Sequence, residues 1–127
     1  MPRKNHIVLC VDDNPVAVSG WSLYLQQKGY SVLSARAPEE GLQLFATQPV
    51  SAVILDYAMP ELDGTAVAAL MKRMKPQVPI ILFTGVSDLP ADVLATVDGF
   101  MVKGEPPREM LEMIDRVLNV NEKAEGA

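Results

Sequence analysis

Five short apolar runs, Ile7 to Val11, Tyr30 to Ala35, Val50 to Leu55, Val78 to Phe83 and Gly99 to Val102, most constrain what this chain can fold into. Nearly unbroken apolar runs of this length, rich in β-branched residues, are the mark of strands buried on both faces. Alternating with them are Pro15 to Lys28, Pro38 to Thr47, Gly64 to Lys75, Pro90 to Val97 and Pro106 to Asn119, which carry helical spacing. In the last of these, Met110, Leu111, Ile114, Val117 and Leu118 form one stripe, with Glu109, Glu112, Asp115 and Arg116 between them. Met113 falls off the stripe, as a partner surface or as an ordinary surface position. In the first segment Ala17, Gly20, Trp21, Tyr24 and Leu25 make a comparable stripe. Gly costs a helix interior about 1 kcal/mol relative to Ala, which predicts close backbone packing at Gly20 with Trp21 filling the gap.

Strands and helices that alternate with short connections predict a parallel sheet, because each parallel crossover needs a helix and turns right-handed. The expected fold class is α/β: a doubly wound, five-stranded parallel sheet with helices on both faces. A length of 127 residues fits a single domain over 1–127, with its core at 6–118 and a polar tail or linker start at 119–127. Lys and Arg number 11 against 16 Asp and Glu, for a net charge of −5, so neither direct nucleic-acid binding nor an anionic membrane is expected. The first apolar run breaks at Asp12, too early for a signal peptide or a spanning helix, and the cytoplasm is the expected location. A lone Cys10 excludes an internal disulfide and reads as inert packing. His6, the single histidine, lies far from the ligand edge and is expected to be structural.

In this architecture ligands sit beyond the carboxyl ends of the strands. Asp12 and Asp13 follow the first strand and Asp56 ends the third. Each has a plain alternative: Asp13-Asn14-Pro15 is a good helix start, and Asp56 precedes a turn at Asp63-Gly64. Should the first and third strands be neighbours, however, three carboxylates converge. At about 5 Å and an effective dielectric of about 20, each ionised pair repels by roughly 3 kcal/mol. Such a cluster raises a carboxylate pKa or recruits a hard divalent cation such as Mg2+. Thr84 and Lys103 close the fourth and fifth strands, where a hydroxyl and an ammonium suit phosphoryl oxygens. Taken singly, either residue is better read as a surface Thr or a solvated Lys, and it is their joint placement at the ligand edge that chance explains badly.

With these residues in place the chain resembles the receiver domain of bacterial two-component response regulators, over about residues 6–118. The acidic pair is Asp12-Asp13, the phosphoacceptor position is Asp56, the hydroxyl is Thr84 and the lysine is Lys103. Asp56-Tyr57-Ala58-Met59-Pro60-Glu61-Leu62-Asp63-Gly64 is similar to the family's D-x-x-M-P-x-x-D-G loop. The resemblance implies the flavodoxin-like strand order 2-1-3-4-5 and a signalling domain that assists its own phosphorylation and dephosphorylation rather than an enzyme. It also implies Mg2+ held by Asp13, Asp56 and the Ala58 carbonyl, with Asp12 acting through water. Asp56 then accepts a phosphoryl group from a histidine kinase or phosphotransfer protein. Lys103 pairs with that group and Thr84 swings to it, letting Phe100 change rotamer, unless Phe100 is plain core. The face of helix 4, strand 5 and helix 5 reads the change out to a downstream protein or an effector domain, or pairs two copies of the chain.

Two departures from the family pattern stand out. Gly104-Glu105 follows Lys103 where the family usually has Pro, and the fourth helix is short, starting at Pro90-Ala91-Asp92. Ala58 and Val86, two positions beyond Asp56 and Thr84, have no group that orients a water, which implies slow loss of the phosphoryl group. A phosphatase of the D-x-D-x-[TV] type is not matched by Asp12-Asp13-Asn14-Pro15, and no G-x-G-x-x-G or P-loop motif occurs. A pseudo-receiver that serves only as a protein-interaction module is the remaining alternative, and the full residue set argues against it.

Overall fold

The computed structural model describes residues 3–59 and 63–120. A 3-10 turn at Arg3–Asn5 leads into β1 (Ile7–Val11), α1 (Pro15–Gln27), β2 (Ser31–Ala35), α2 (Pro38–Thr47) and β3 (Ala52–Asp56). Next come α3 (Gly64–Met74), β4 (Ile80–Thr84), α4 (Ala91–Leu94), β5 (Gly99–Val102) and α5 (Pro107–Val117). The strands form one sheet in the order β2-β1-β3-β4-β5, with every neighbouring pair parallel. Successive strand side chains point to opposite faces, so the apolar runs supply two cores. Leu9, Val11, Val53, Leu55, Ile80 and Leu82 pack with Phe45, Val67, Met71 and Val93 on the side of α2, α3 and α4. Val8, Cys10, Ile54, Ile81 and Met101 pack with Trp21, Leu25, Met110, Leu111 and Ile114 under α1 and α5.

β2, β3 and β4 begin one or two residues later than the apolar runs suggest, and β3 and β4 extend to include Asp56 and Thr84. Both residues are therefore gripped by the sheet rather than hung on loops. α4 is a single turn. Pro90 precedes it in extended geometry, and the Thr96 hydroxyl donates to the Val93 carbonyl at 2.7 Å, capping the turn instead of letting it continue.

The expectation at Gly20 does not hold. A Cβ there would meet nothing within 4 Å, and the residue is exposed. Trp21 instead turns inward, its ring edge-on to Phe83 with centroids 5.9 Å apart. Leu25 and Tyr24 keep the predicted inward face. The side chain of Ala17 lies outside what is described, as do residues 121–127 of the expected tail. His6 is buried at the end of the sheet remote from the strands' carboxyl ends, as expected. No helix among the described residues is long and apolar enough to cross a membrane.

That remote end is closed by a network the sequence does not announce. Arg3, 5% exposed, donates through Nε and Nη2 to both carboxylate oxygens of Asp115 on α5, at 3.1 and 2.7 Å. The Tyr30 hydroxyl donates to the same carboxylate at 2.6 Å, and Arg3 Nη1 donates to the Lys28 carbonyl at 3.3 Å. Removing one partner of a buried bidentate pair leaves the other charge uncompensated. Arg3→Ala is expected to lower stability by about 3 kcal/mol in urea titration. Gly20→Ala is expected to raise it by about 1 kcal/mol, the helix-propensity difference alone.

Candidate functional site

The order β2-β1-β3 makes the strands that end at Val11 and Asp56 direct neighbours, with Val11 paired to Leu55. Asp12, Asp13 and Asp56 consequently meet: one carboxylate oxygen from each lies within 4.8 Å of the others. Local chemistry prevents these groups from being consumed elsewhere. The helix start expected at Asp13-Asn14-Pro15 is served by Asn14, whose Oδ1 accepts from the Val16 N–H at 3.0 Å. Asp12 Oδ1 accepts from the Asn14 N–H at 2.9 Å. Likewise α3 is capped by Asp63, which accepts from the Ala66 N–H at 2.9 Å, leaving Asp56 to the site. Gly64 lets α3 approach: its N–H donates to the Tyr57 carbonyl at 2.7 Å, and a Cβ would lie 2.6 Å from the Asp56 carbonyl oxygen. Residues 60–62 of the loop that carries the family-like motif lie outside the described residues.

Asp56 is 2% exposed and Asp12 1%, while Asp13 is open to solvent. Burial pushes the Asp12 carboxyl above the usual carboxylate range, and the neighbouring Asp56 carboxylate pushes it the same way. The Asn14 N–H and the Lys103 charge oppose that rise. Asp12 Oδ2 is buried and faces no hydrogen-bond donor among the described residues. A buried oxygen of this kind, beside two further carboxylates, is unsatisfied by the protein itself and suits a hard cation that takes oxygen ligands. Cys10 lies close beneath, and burial and then Asp12 raise its thiol pKa well above the ordinary value, so it stays neutral and inert.

Lys103 answers the carboxylates from β5. Its Nζ lies 3.1 Å from Asp56 Oδ1, which also accepts from the Ala58 N–H at 3.3 Å. The sequence does not reveal a second contact: the ammonium stands 5.5 Å from the centroid of the Phe83 ring, which confines it laterally. A strand aromatic one residue before Thr84 is the signal that marks this position in retrospect. The backbone of Lys103 is tied to β4 by its N–H, which donates to the Thr84 carbonyl at 2.6 Å. Thr84 is 1% exposed, and its Oγ1 accepts from the Val86 N–H at 3.1 Å. Phe100 is half-buried, packed against the α2, α3 and α4 core, and paired in register with Leu82, two residues before Thr84. Acids, hydroxyl and ammonium thus share the carboxyl edge of the sheet, while Phe100 sits deeper on β5.

The fold and sequence have counterparts among known proteins. The family model described as the response regulator receiver domain matches residues 8–115. The transcriptional regulatory protein GlrR of Escherichia coli is 33% identical over 93% of this chain and 27% of its own length. PhoP of Bacillus subtilis, the alkaline phosphatase synthesis transcriptional regulatory protein, is 30% identical over 94% of this chain and 51% of its own length. The chain therefore spans about a quarter to a half of these relatives. Among solved structures, response regulator TrrA of Thermotoga maritima, in complex with Mg2+ and BeF, superimposes with a TM-score of 0.83 at 32% identity, covering 89% of this chain and 99% of that one. A receiver domain from Methanospirillum hungatei gives a TM-score of 0.83 at 25% identity, covering 94% and 98%. With its five-stranded parallel order and the convergence of Asp12, Asp13 and Asp56, this chain belongs to the response regulator receiver domain family.

Proposed function

We propose that this receiver domain is the phosphoacceptor of a two-component phosphorelay, with Asp56 taking the phosphoryl group from a phosphohistidine of a histidine kinase or phosphotransfer protein. The observation that carries this reading is a buried nucleophilic carboxylate with an ammonium at 3.1 Å and two further carboxylates within 4.8 Å. An Asp56 oxygen attacks phosphorus in line, the P–N bond to the donor imidazole breaks, and its electron pair stays on the ring nitrogen. Lys103 then pairs with the phosphoryl oxygens, and the Thr84 hydroxyl leaves Val86 to donate to one of them. The space Thr84 vacates lets Phe100 turn inward, changing the face of α4, β5 and α5. Asp12, Asp13, Asp56 and the Ala58 carbonyl are the residues that hold Mg2+, with Asp12 acting through water. Bound there, the ion supplies the positive charge that offsets the carboxylates and the incoming phosphoryl oxygens. TrrA, at 32% identity, was solved with that metal, which supports this assignment.

On this reading the chain assists its own phosphorylation and dephosphorylation, acts in the cytoplasm, and works as one domain over 1–127. Its downstream reader is a separate protein or an effector domain, with a second copy on the α4, β5 and α5 face as the other occupant. The relatives named as transcriptional regulators support an effector of that kind beyond the residues shared with this chain.

Intact-mass analysis with acetyl phosphate and Mg2+ tests the central step. The parent is expected to gain the mass of one phosphoryl group and Asp56→Asn none; an unmodified parent would instead make the chain a pseudo-receiver. Ala58 and Val86 are both exposed and offer no side-chain hydrogen bond to a water. Ala58→Gln or Val86→Glu is expected to speed loss of the phosphoryl group by about tenfold or more, timed by the decay of the modified mass. Asp12 gives a test without phosphoryl transfer. Because its folded pKa is raised, ionising it costs stability as pH rises from the unfolded value of about 3.9 through the folded one. Asp12→Asn is expected to melt roughly 3 to 6 °C higher than the parent at pH 7 without metal. That gap should close at acid pH, and the variant should lose most of the rise in Tm that Mg2+ gives the parent.

A further inference from the structure

The face of α4, β5 and α5 has a chemical character of its own. β5 is one of the two edge strands of the sheet, and α4 is one turn long. A cavity of about 480 Å3 lies between β5 and α5, with Phe100, Met101, Val102 and Met113 as its apolar floor. Met113 is the residue that falls off the core stripe of α5, and its sulfur would be 3.1 Å from a Cβ on Gly99, so the missing side chain there lets it lie along the strand. Around this floor stand Glu105, Glu109 and Glu112, with Arg116 at one end. Glu109, Glu112, Met113 and Arg116 follow i, i+3, i+4, i+7 spacing and form a second face of α5 beside its core stripe. None of the three carboxylates is in an ion pair among the described residues.

We propose that this cavity binds a basic peptide segment of a partner protein, in which one or two apolar side chains fill the floor and Lys or Arg residues flank them. The proposal rests on the reading of this face as the one that reports the state of Asp56, and adds the chemistry of what reads it. The volume is in the range of pockets that seat a few large side chains. Three carboxylates against one guanidinium give the rim a negative field that favours a cationic partner and speeds its approach. A second copy of the chain fits worse. A two-fold interface sets the same patch against itself, so even with Arg116 of each copy paired across it, carboxylates would remain facing carboxylates. Residues 121–127 fit no better, since they carry Glu122 and Glu125 against Lys123.

The test uses two fluorescent synthetic peptides with the same Leu-Phe centre, one flanked by arginines and the other by glutamates, titrated against the unphosphorylated full chain by anisotropy. The arginine peptide is expected to bind at least about tenfold more tightly than the glutamate peptide and to weaken as salt is raised. Glu109→Gln with Glu112→Gln, at positions outside the core, is expected to weaken it about fivefold or more. Equal binding of the two peptides, no binding of either, or an unchanged affinity in the glutamine variant would overturn the proposal. So would sedimentation showing a dimer that Met113→Asp dissolves, which would assign the face to a second copy. Loading of Asp56, followed by intact mass on the same samples, keeps the two readings apart. A parent that binds peptide but takes no phosphoryl group sinks the phosphoacceptor reading alone, and one that loads but ignores charge sinks this proposal alone.

Discussion

The convergence of three carboxylates is the constraint around which the rest of this structure is arranged. At 4.8 Å and an effective dielectric of about 20, a pair of such charges repels by about 3 kcal/mol. A fold carries that cost only if the backbone cannot relax to separate the groups. Here it cannot, because β1 and β3 are hydrogen-bonded neighbours buried on both faces. Lys103 offsets part of the repulsion through Asp56 Oδ1, but the buried Asp12 Oδ2 keeps no donor among the described residues. The site is therefore stable enough to exist and unsatisfied enough to take up positive charge.

The two ends of the sheet are built by opposite rules. At the carboxyl edge like charges are pressed together, whereas at the other end Arg3, Tyr30 and Asp115 form a satisfied network that ties the N-terminal turn, the start of β2 and the end of α5 together. Buried bidentate ion pairs fix geometry because loss of either partner is expensive. The end of α5 near Asp115 is thus clamped, while its beginning, after Lys103 and Gly104, adjoins the site. That beginning is held by apolar packing instead, with Met110 and Leu111 buried in the core under α1 and α5. Beside Phe100 and Met113 the packing leaves a cavity of about 480 Å3.

Much of this was legible in the residues themselves. Unbroken β-branched runs fixed the strands because a strand buried on both faces has no polar side to show, and the recurring Asp, Thr and Lys at their ends marked the ligand edge. Strand order was less accessible: periodicity reveals that strands exist, whereas adjacency depends on how crossovers wind, so it came through the resemblance. Gly20 misled because a glycine in a helix reads equally as a close approach or as a plain cost, and only the neighbouring atoms decide between them. The extent of α4 was overestimated because Pro90, Ala91 and Asp92 signal a start, while the stop depends on a hydroxyl of Thr96 reaching back to Val93. The Arg3 and Asp115 pair spans nearly the whole chain, a separation no local pattern encodes.

The replacement of the family's usual Pro after Lys103 has a consequence of the same physical kind. Gly104 takes φ 98°, a region closed to proline, whose ring holds φ near −65°. This loop therefore follows a path that the common family residue does not allow, and no cis peptide bond occurs among the described residues. Lys103 is instead held from its two sides, by the hydrogen bond of its N–H to Thr84 behind it and by the Phe83 ring beneath its ammonium. Both contacts that place the lysine therefore come from β4. Thr84 and Phe83 lie on that same strand, so the strand that carries the hydroxyl also positions the cation. A displacement of Thr84 would reach Lys103 directly through the backbone bond they share.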